Sequence, residues 1–118
     1  MIPGFYLLSL DDAIANYRAF AADPRWRFGW LPLFADGGGD FYVVELGREQ
    51  SGAVRRFRID EAEHPIEFAT VGDFLGTLAA AFDEGVFLAF DEGGVDMNDE
   101  LFARLARRLN PDVSRWRT

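Results

Sequence analysis

Three short β-rich runs, residues 28–34, 41–46 and 53–59, lie between two stretches of helical spacing, and this order constrains the fold more than any other feature. The first connection, Ala35-Asp36-Gly37-Gly38-Gly39-Asp40, holds three glycines able to adopt positive φ without steric cost. The second, Gly47-Arg48-Glu49-Gln50-Ser51-Gly52, is a longer polar loop, and both suit antiparallel hairpins. In the third run Val54, Arg56 and Arg58 alternate imperfectly with Arg55, Phe57 and Ile59, which places it near a sheet edge. A fourth strand is expected over 86–90, with Asp91-Glu92-Gly93-Gly94 turning it into a short hairpin that ends near Val95.

Each helical stretch has its own start signal. Ser9 caps the first, which runs to about Ala22 before Asp23-Pro24, with Leu10, Ile14, Tyr17, Phe20 and Ala21 as its apolar stripe. Thr70 opens the second with Asp73 three positions on; Val71, Phe74, Leu75, Leu78, Ala79 and Phe82 share a face, and Gly85 closes it. The third follows Asn98, has Asp99 and Glu100 in its first turn and Arg104, Arg107 and Arg108 toward its end, and stops at Asn110-Pro111. Its stripe is Leu101, Phe102, Leu105 and Leu109. The order predicts an α+β domain spanning 1–118: a mainly antiparallel sheet, made of a three-stranded meander and a short C-terminal hairpin, against about three helices.

Composition removes whole classes of function. With 118 residues, half of them apolar and twelve of them Phe, the chain can bury a core without a disulfide or metal staple. Every basic residue is Arg, so lysine chemistry is excluded, and the lack of Cys excludes thiol catalysis and cysteine-ligated zinc. A net charge of −8 opposes binding to nucleic-acid phosphates or anionic lipid, but attracts a basic protein surface. No apolar run is long enough for a membrane span, and Met1-Ile2-Pro3-Gly4-Phe5 does not read as a signal peptide, so the expected location is cytoplasmic.

Candidate chemistry is sparse. An EF-hand register starting at Asp91 puts Gly93 and Val95 at ligand positions, Asp96 where the glycine belongs and Phe102 where the bidentate glutamate belongs, so it fails. His64, the single imidazole, sits before Pro65 in a polar loop and reads as a surface residue. Ser9, Ser51 and Ser114 lie in no nucleophile-elbow context, and the acidic pairs Asp11/Asp12, Glu61/Glu63 and Asp91/Glu92 read as solvated surface. No catalytic residue, metal ligand or cofactor is assigned. Trp and Arg are enriched at binding hot spots. Trp30, inside an apolar run, is expected to be buried; Trp26, between Arg25 and Arg27, is the surface candidate; Trp116 either pins the tail or projects toward a partner.

Trp30-Leu31-Pro32-Leu33-Phe34, then 36–46 from Asp36 to Leu46, then Gly52-Ala53-Val54-Arg55-Arg56-Phe57, and finally Thr70-Val71-Gly72-Asp73-Phe74-Leu75 resemble the core of the SUKH superfamily, the Smi/Knr-like domains. The resemblance extends over roughly 5–116, through Asn110-Pro111 to Trp116. Asp73-Phe74-Leu75 stands where the family has acidic-Trp-Leu, and Glu45 where many members have Asp. The upstream helices usual in the family are absent from this chain, which implies an uncovered sheet face or edge and self-association, a homodimer being the simplest form.

The resemblance implies a non-catalytic protein-binding module. Bacterial members are largely inferred to be immunity proteins that neutralise toxins, often nucleases, of contact-dependent or polymorphic systems; fungal relatives act in cell-wall signalling. The expected partner is then a basic toxin domain, steered by the acidic charge, with Trp26, Asp36, Asp40, Glu45, Glu61 and Glu63 as contact residues. A regulatory or scaffold module is the alternative, and a small metal-dependent or carboxylate-based hydrolase a remote one.

Overall fold

A computed structural model describes residues 2–47, 52–89 and 95–117. The backbone forms β1 (Tyr6–Leu7), α1 (Leu10–Phe20), β2 (Trp30–Ala35), β3 (Phe41–Glu45), β4 (Val54–Phe57), β5 (Ile66–Phe68), α2 (Val71–Asp83), β6 (Phe87–Ala89), β7 (Val95–Met97), α3 (Asp99–Leu109) and a terminal 3₁₀ turn, Ser114–Trp116. The chain is α+β: strands β1 to β5 pair in sequence order as one antiparallel sheet, and β6 pairs with β7 as a separate hairpin. Among the described residues no helix is long and apolar enough to cross a membrane.

All three helix starts read from the sequence are present. The backbone N–H groups of Asp12, Asp73 and Leu101 donate to the side-chain oxygens of Ser9, Thr70 and Asn98. Each bond satisfies a first-turn amide that the helix cannot satisfy itself. Asp91-Glu92-Gly93-Gly94, the turn expected between β6 and β7, lies outside the described residues, as do positions 48–51 of the loop between β3 and β4.

The sheet corrects two expectations. It has five strands, not three, because β1 joins the Phe34–Ala35 end of β2 and β5 joins the far side of β4. The third run is therefore interior instead of marginal. Its arginines are compatible with an interior position because each finds cover: Arg55 donates to Glu45 and to the His64 carbonyl, Arg56 lies over the rings of Phe5 and Tyr42, and Arg58 donates to Glu67. Phe28 also falls outside β2, which begins only at Trp30.

The two faces of the sheet carry separate cores. On one, Trp26, Trp30, Phe41, Val43 and Phe57 cluster, with Leu8, Phe20 and Ile59 against them. On the other, Phe34, Tyr42, Val54 and Phe68 meet Phe74, Leu78 and Ala81 of α2, Phe102, Leu105 and Ala106 of α3, and Trp116. The helices expose part of their expected stripes. Leu10 and Ile14 face solvent and only Ala13 of α1 is buried; Leu75 and Phe82 of α2 and Leu101 and Leu109 of α3 are exposed, while Thr77, Ala81 and Ala106 take the contact positions. Small residues permit close helix approach, and a wide apolar arc does not specify which of its edges meets the neighbour.

A polar relay joins the helices inside this second core. Asn110 donates through Nδ2 to Thr77 Oγ1 at 3.0 Å and to Ala106 O at 2.9 Å, and the Thr77 hydroxyl donates to Asp73 O at 2.8 Å.

Candidate functional site

The six residues expected to contact a partner do not form one surface. Trp26 is the clearest correction: only 6% exposed, its ring lies 4.9 Å from Phe57 and 5.6 Å from Phe41. The flanking Arg25 suggested solvent, yet its guanidinium turns back over the cluster. It pairs with Asp23 at 2.9 Å, donates to the Ile59 and Glu61 carbonyls at 2.6 and 3.0 Å, and covers the Phe57 ring. The hydrogen bonds from Arg25 hold the Asp23 carboxyl below its usual range.

Asp36 and Asp40 lie together in the turn between β2 and β3. The Asp36 carboxylate accepts from the Gly38 and Asp40 amides, and Asp40 accepts from the Ile59 amide and faces Arg56 at 3.8 Å. Of the two, Asp36 is exposed and Asp40 half-buried. Glu45, at the far end of β3, is paired with Arg55. Glu61 and Glu63 are exposed on the loop between β4 and β5.

His64 is also buried, at 6%, and not a surface residue. Its ring stacks on Phe57 with centroids 4.3 Å apart, and its Nε2–H donates to Arg58 O at 3.0 Å. The Arg55 bond to the His64 carbonyl draws the loop onto the sheet, an effect that the adjacent Pro65 does not reveal.

Two arrangements escaped the sequence reading. The first is an apolar groove lined by Tyr17, Phe28, Gly29, Leu31, Leu46 and Gly47. Phe28 is 94% exposed and Leu46 60% exposed. The Gly29 amide donates to the Tyr17 hydroxyl, and the Leu46 amide to Gly29 O, so α1 and the end of β3 fix the loop that presents Phe28. Gly29 has φ of +89° and a Cβ there would lie 3.3 Å from Gly47 N, so glycine suits this close crossing. Holding a phenyl ring in water is unfavourable by an amount that burial would recover.

The second arrangement is a charged cluster under the terminal turn. Glu67 is 1% exposed, and its Oε2 takes Arg58 Nη1 at 3.3 Å and faces Arg115 Nε at 3.6 Å. Burial raises the Glu67 pKa, although the charges of Arg58, Arg115 and Arg56 oppose the rise. Burial also pushes the Tyr42 hydroxyl up to about 12, with the Glu67 charge adding to the effect. The signal available in the sequence was Arg56 and Arg58 at spacing two, and Glu67 between two apolar residues of a three-residue strand.

Among the described residues no group of three His, Asp or Glu side chains is placed to hold a metal ion. No protein-family model matches the chain, and no curated protein matches it with significance.

Proposed function

We propose that this protein is a non-catalytic binding module of the SUKH type, an immunity protein whose partner is a basic toxin domain such as a nuclease. The observation that carries the binding reading is the solvent-facing Phe28 beside Leu46. An exposed aromatic side chain at the edge of an apolar groove, on a loop whose next residue is hydrogen-bonded to α1 and to Leu46, has the character of an interface anchor. The net charge of −8 and the exposed Asp36, Glu61 and Glu63 support a basic partner through long-range attraction.

The test is co-expression with the toxin encoded beside its gene, read as growth rescue and as a complex on size exclusion. Wild type should rescue and bind, Phe28→Asp and Leu46→Asp should do neither while remaining folded, and association should slow as salt rises. Rescue by both variants would overturn the groove as the contact surface. Failure of the wild type against that toxin, with pull-down of a cellular regulator instead, would replace immunity by the regulatory or scaffold role.

A further inference from the structure

We infer that the cavity between the sheet, the N-terminal segment and the terminal turn binds a small organic monoanion, a carboxylate carried on an apolar body. The cavity has a volume of about 380 Å³, within the range of small-molecule sites. Three arginines line it, Arg56, Arg58 and Arg115, against two acidic residues, Glu67 and Asp99. The arginines outnumber the acids by one, a local positive excess inside a chain of net −8.

A structural role for Glu67 requires one good partner. Instead, two arginines share a single carboxylate oxygen at 3.3 and 3.6 Å, longer than the ~2.7–2.9 Å of a strong charge-assisted bond. The third, Arg56, reaches Asp40 only at 3.8 Å, and its other side-chain partner is the neutral Tyr42 hydroxyl. Each guanidinium offers five N–H donors in a planar fork, so the three provide more donors than these acids accept. A carboxylate has the shape to take such a fork in two parallel bonds.

The rest of the wall defines the other end of the ligand. Phe5, Phe87, Phe102 and Trp116 supply aromatic surface, suited to an alkyl or aryl body. The excess of one arginine matches a monoanion, whereas a phosphate dianion would be left partly uncompensated beside Glu67. The site is separate from the Phe28 groove and its test requires no protein partner.

The test is a ¹H–¹⁵N NMR titration of the whole chain with phenylacetate and hexanoate, with phenylacetamide and inorganic phosphate as comparisons. Either acid should cause saturable shifts of the Trp116 indole N–H and the Tyr42 amide, with phenylacetamide and phosphate weaker by about tenfold or more. Arg115→Gln should weaken phenylacetate binding about tenfold, whereas Glu67→Gln, which removes the competing charge, should tighten it. Opposite effects from two neutralising substitutions separate ligand binding from loss of structure, and circular dichroism confirms that both variants fold. The inference is overturned if neither acid shifts these signals at about 10 mM, if phosphate or the amide binds as well as the acids, or if the two variants change affinity in the same direction.

Discussion

Replacing Trp116 tests how the second core is closed. Its ring is 8% exposed, lies 5.8 Å from Phe68 and 5.9 Å from Phe102, and its Nε1–H donates to the Glu67 carbonyl at 2.6 Å. Burial of roughly 200 Å² of aromatic side chain at about 25 cal/mol per Å² corresponds to about 5 kcal/mol, an upper estimate. Trp116→Ala should therefore cost about 3–5 kcal/mol. That is a large part of the stability of a domain this size, about 5–15 kcal/mol. Trp116→Phe keeps most of the apolar contact but leaves the Glu67 carbonyl without its donor, adding about 1–2 kcal/mol to the loss from reduced volume. Trp26→Phe provides the contrast, because the Trp26 indole N–H is buried with no hydrogen-bond partner among the described residues. It loses volume but no hydrogen bond, and should cost less than Trp116→Phe. Urea unfolding followed by far-ultraviolet circular dichroism measures all three. A Trp116→Ala loss below about 1 kcal/mol, or Trp26→Phe costing more than Trp116→Phe, would refute the assignment of the terminal turn to the core.

Glu67→Gln should change the pH dependence of stability. The raised pKa means that the folded state holds this proton more tightly than the unfolded chain, so the contribution of Glu67 is fully present below about 4.5 and is lost as pH rises through the folded value. The charges acting on it are those of Arg58, of Arg115 in the terminal turn and of Arg56, and Asp99 at the start of α3 lines the same cavity. Relative to wild type, Glu67→Gln should gain stability as pH rises above about 4.5, where the unfolded chain releases this proton and the folded state still holds it, in paired urea titrations; a pH-independent difference would contradict the assigned cause. Phe28→Asp should change the unfolding free energy by no more than about 0.5 kcal/mol, since the exposed ring is not part of either core. At Gly39, with φ of +105°, a Cβ would lie 3.2 Å from the Ile59 side chain, whereas Gly37, with φ of +83°, faces open space. Gly39→Ala should cost about 1–3 kcal/mol and more than Gly37→Ala, and equal midpoints would show that the turn relaxes.

Local signals were the legible part of this fold. Ser9, Thr70 and Asn98 each act on an amide three residues away, so their role is set by sequence neighbours alone. The glycine turn around Asp36 and Asp40 is local in the same way. Burial of Trp26 and His64 was not legible, because it depends on Arg25 reaching Ile59 and Arg55 reaching the His64 carbonyl, contacts made by folding. The strands β1 and β5 have two and three residues, too short to show a period of their own. Glu67 looks like any acid in an acidic chain until β4 and the terminal turn bring Arg58 and Arg115 to it.

The bond from the Trp116 indole to the Glu67 carbonyl also bears on solubility. Glu67 belongs to β5, the last strand of the sheet, and a strand in that position offers backbone groups to which a foreign strand can add. By occupying one of those carbonyls and laying its ring against Phe68, the terminal turn obstructs strand addition at the β5 edge of the sheet. Loss of this obstruction would appear as concentration-dependent fibre or aggregate formation even under conditions where most of the chain remains folded.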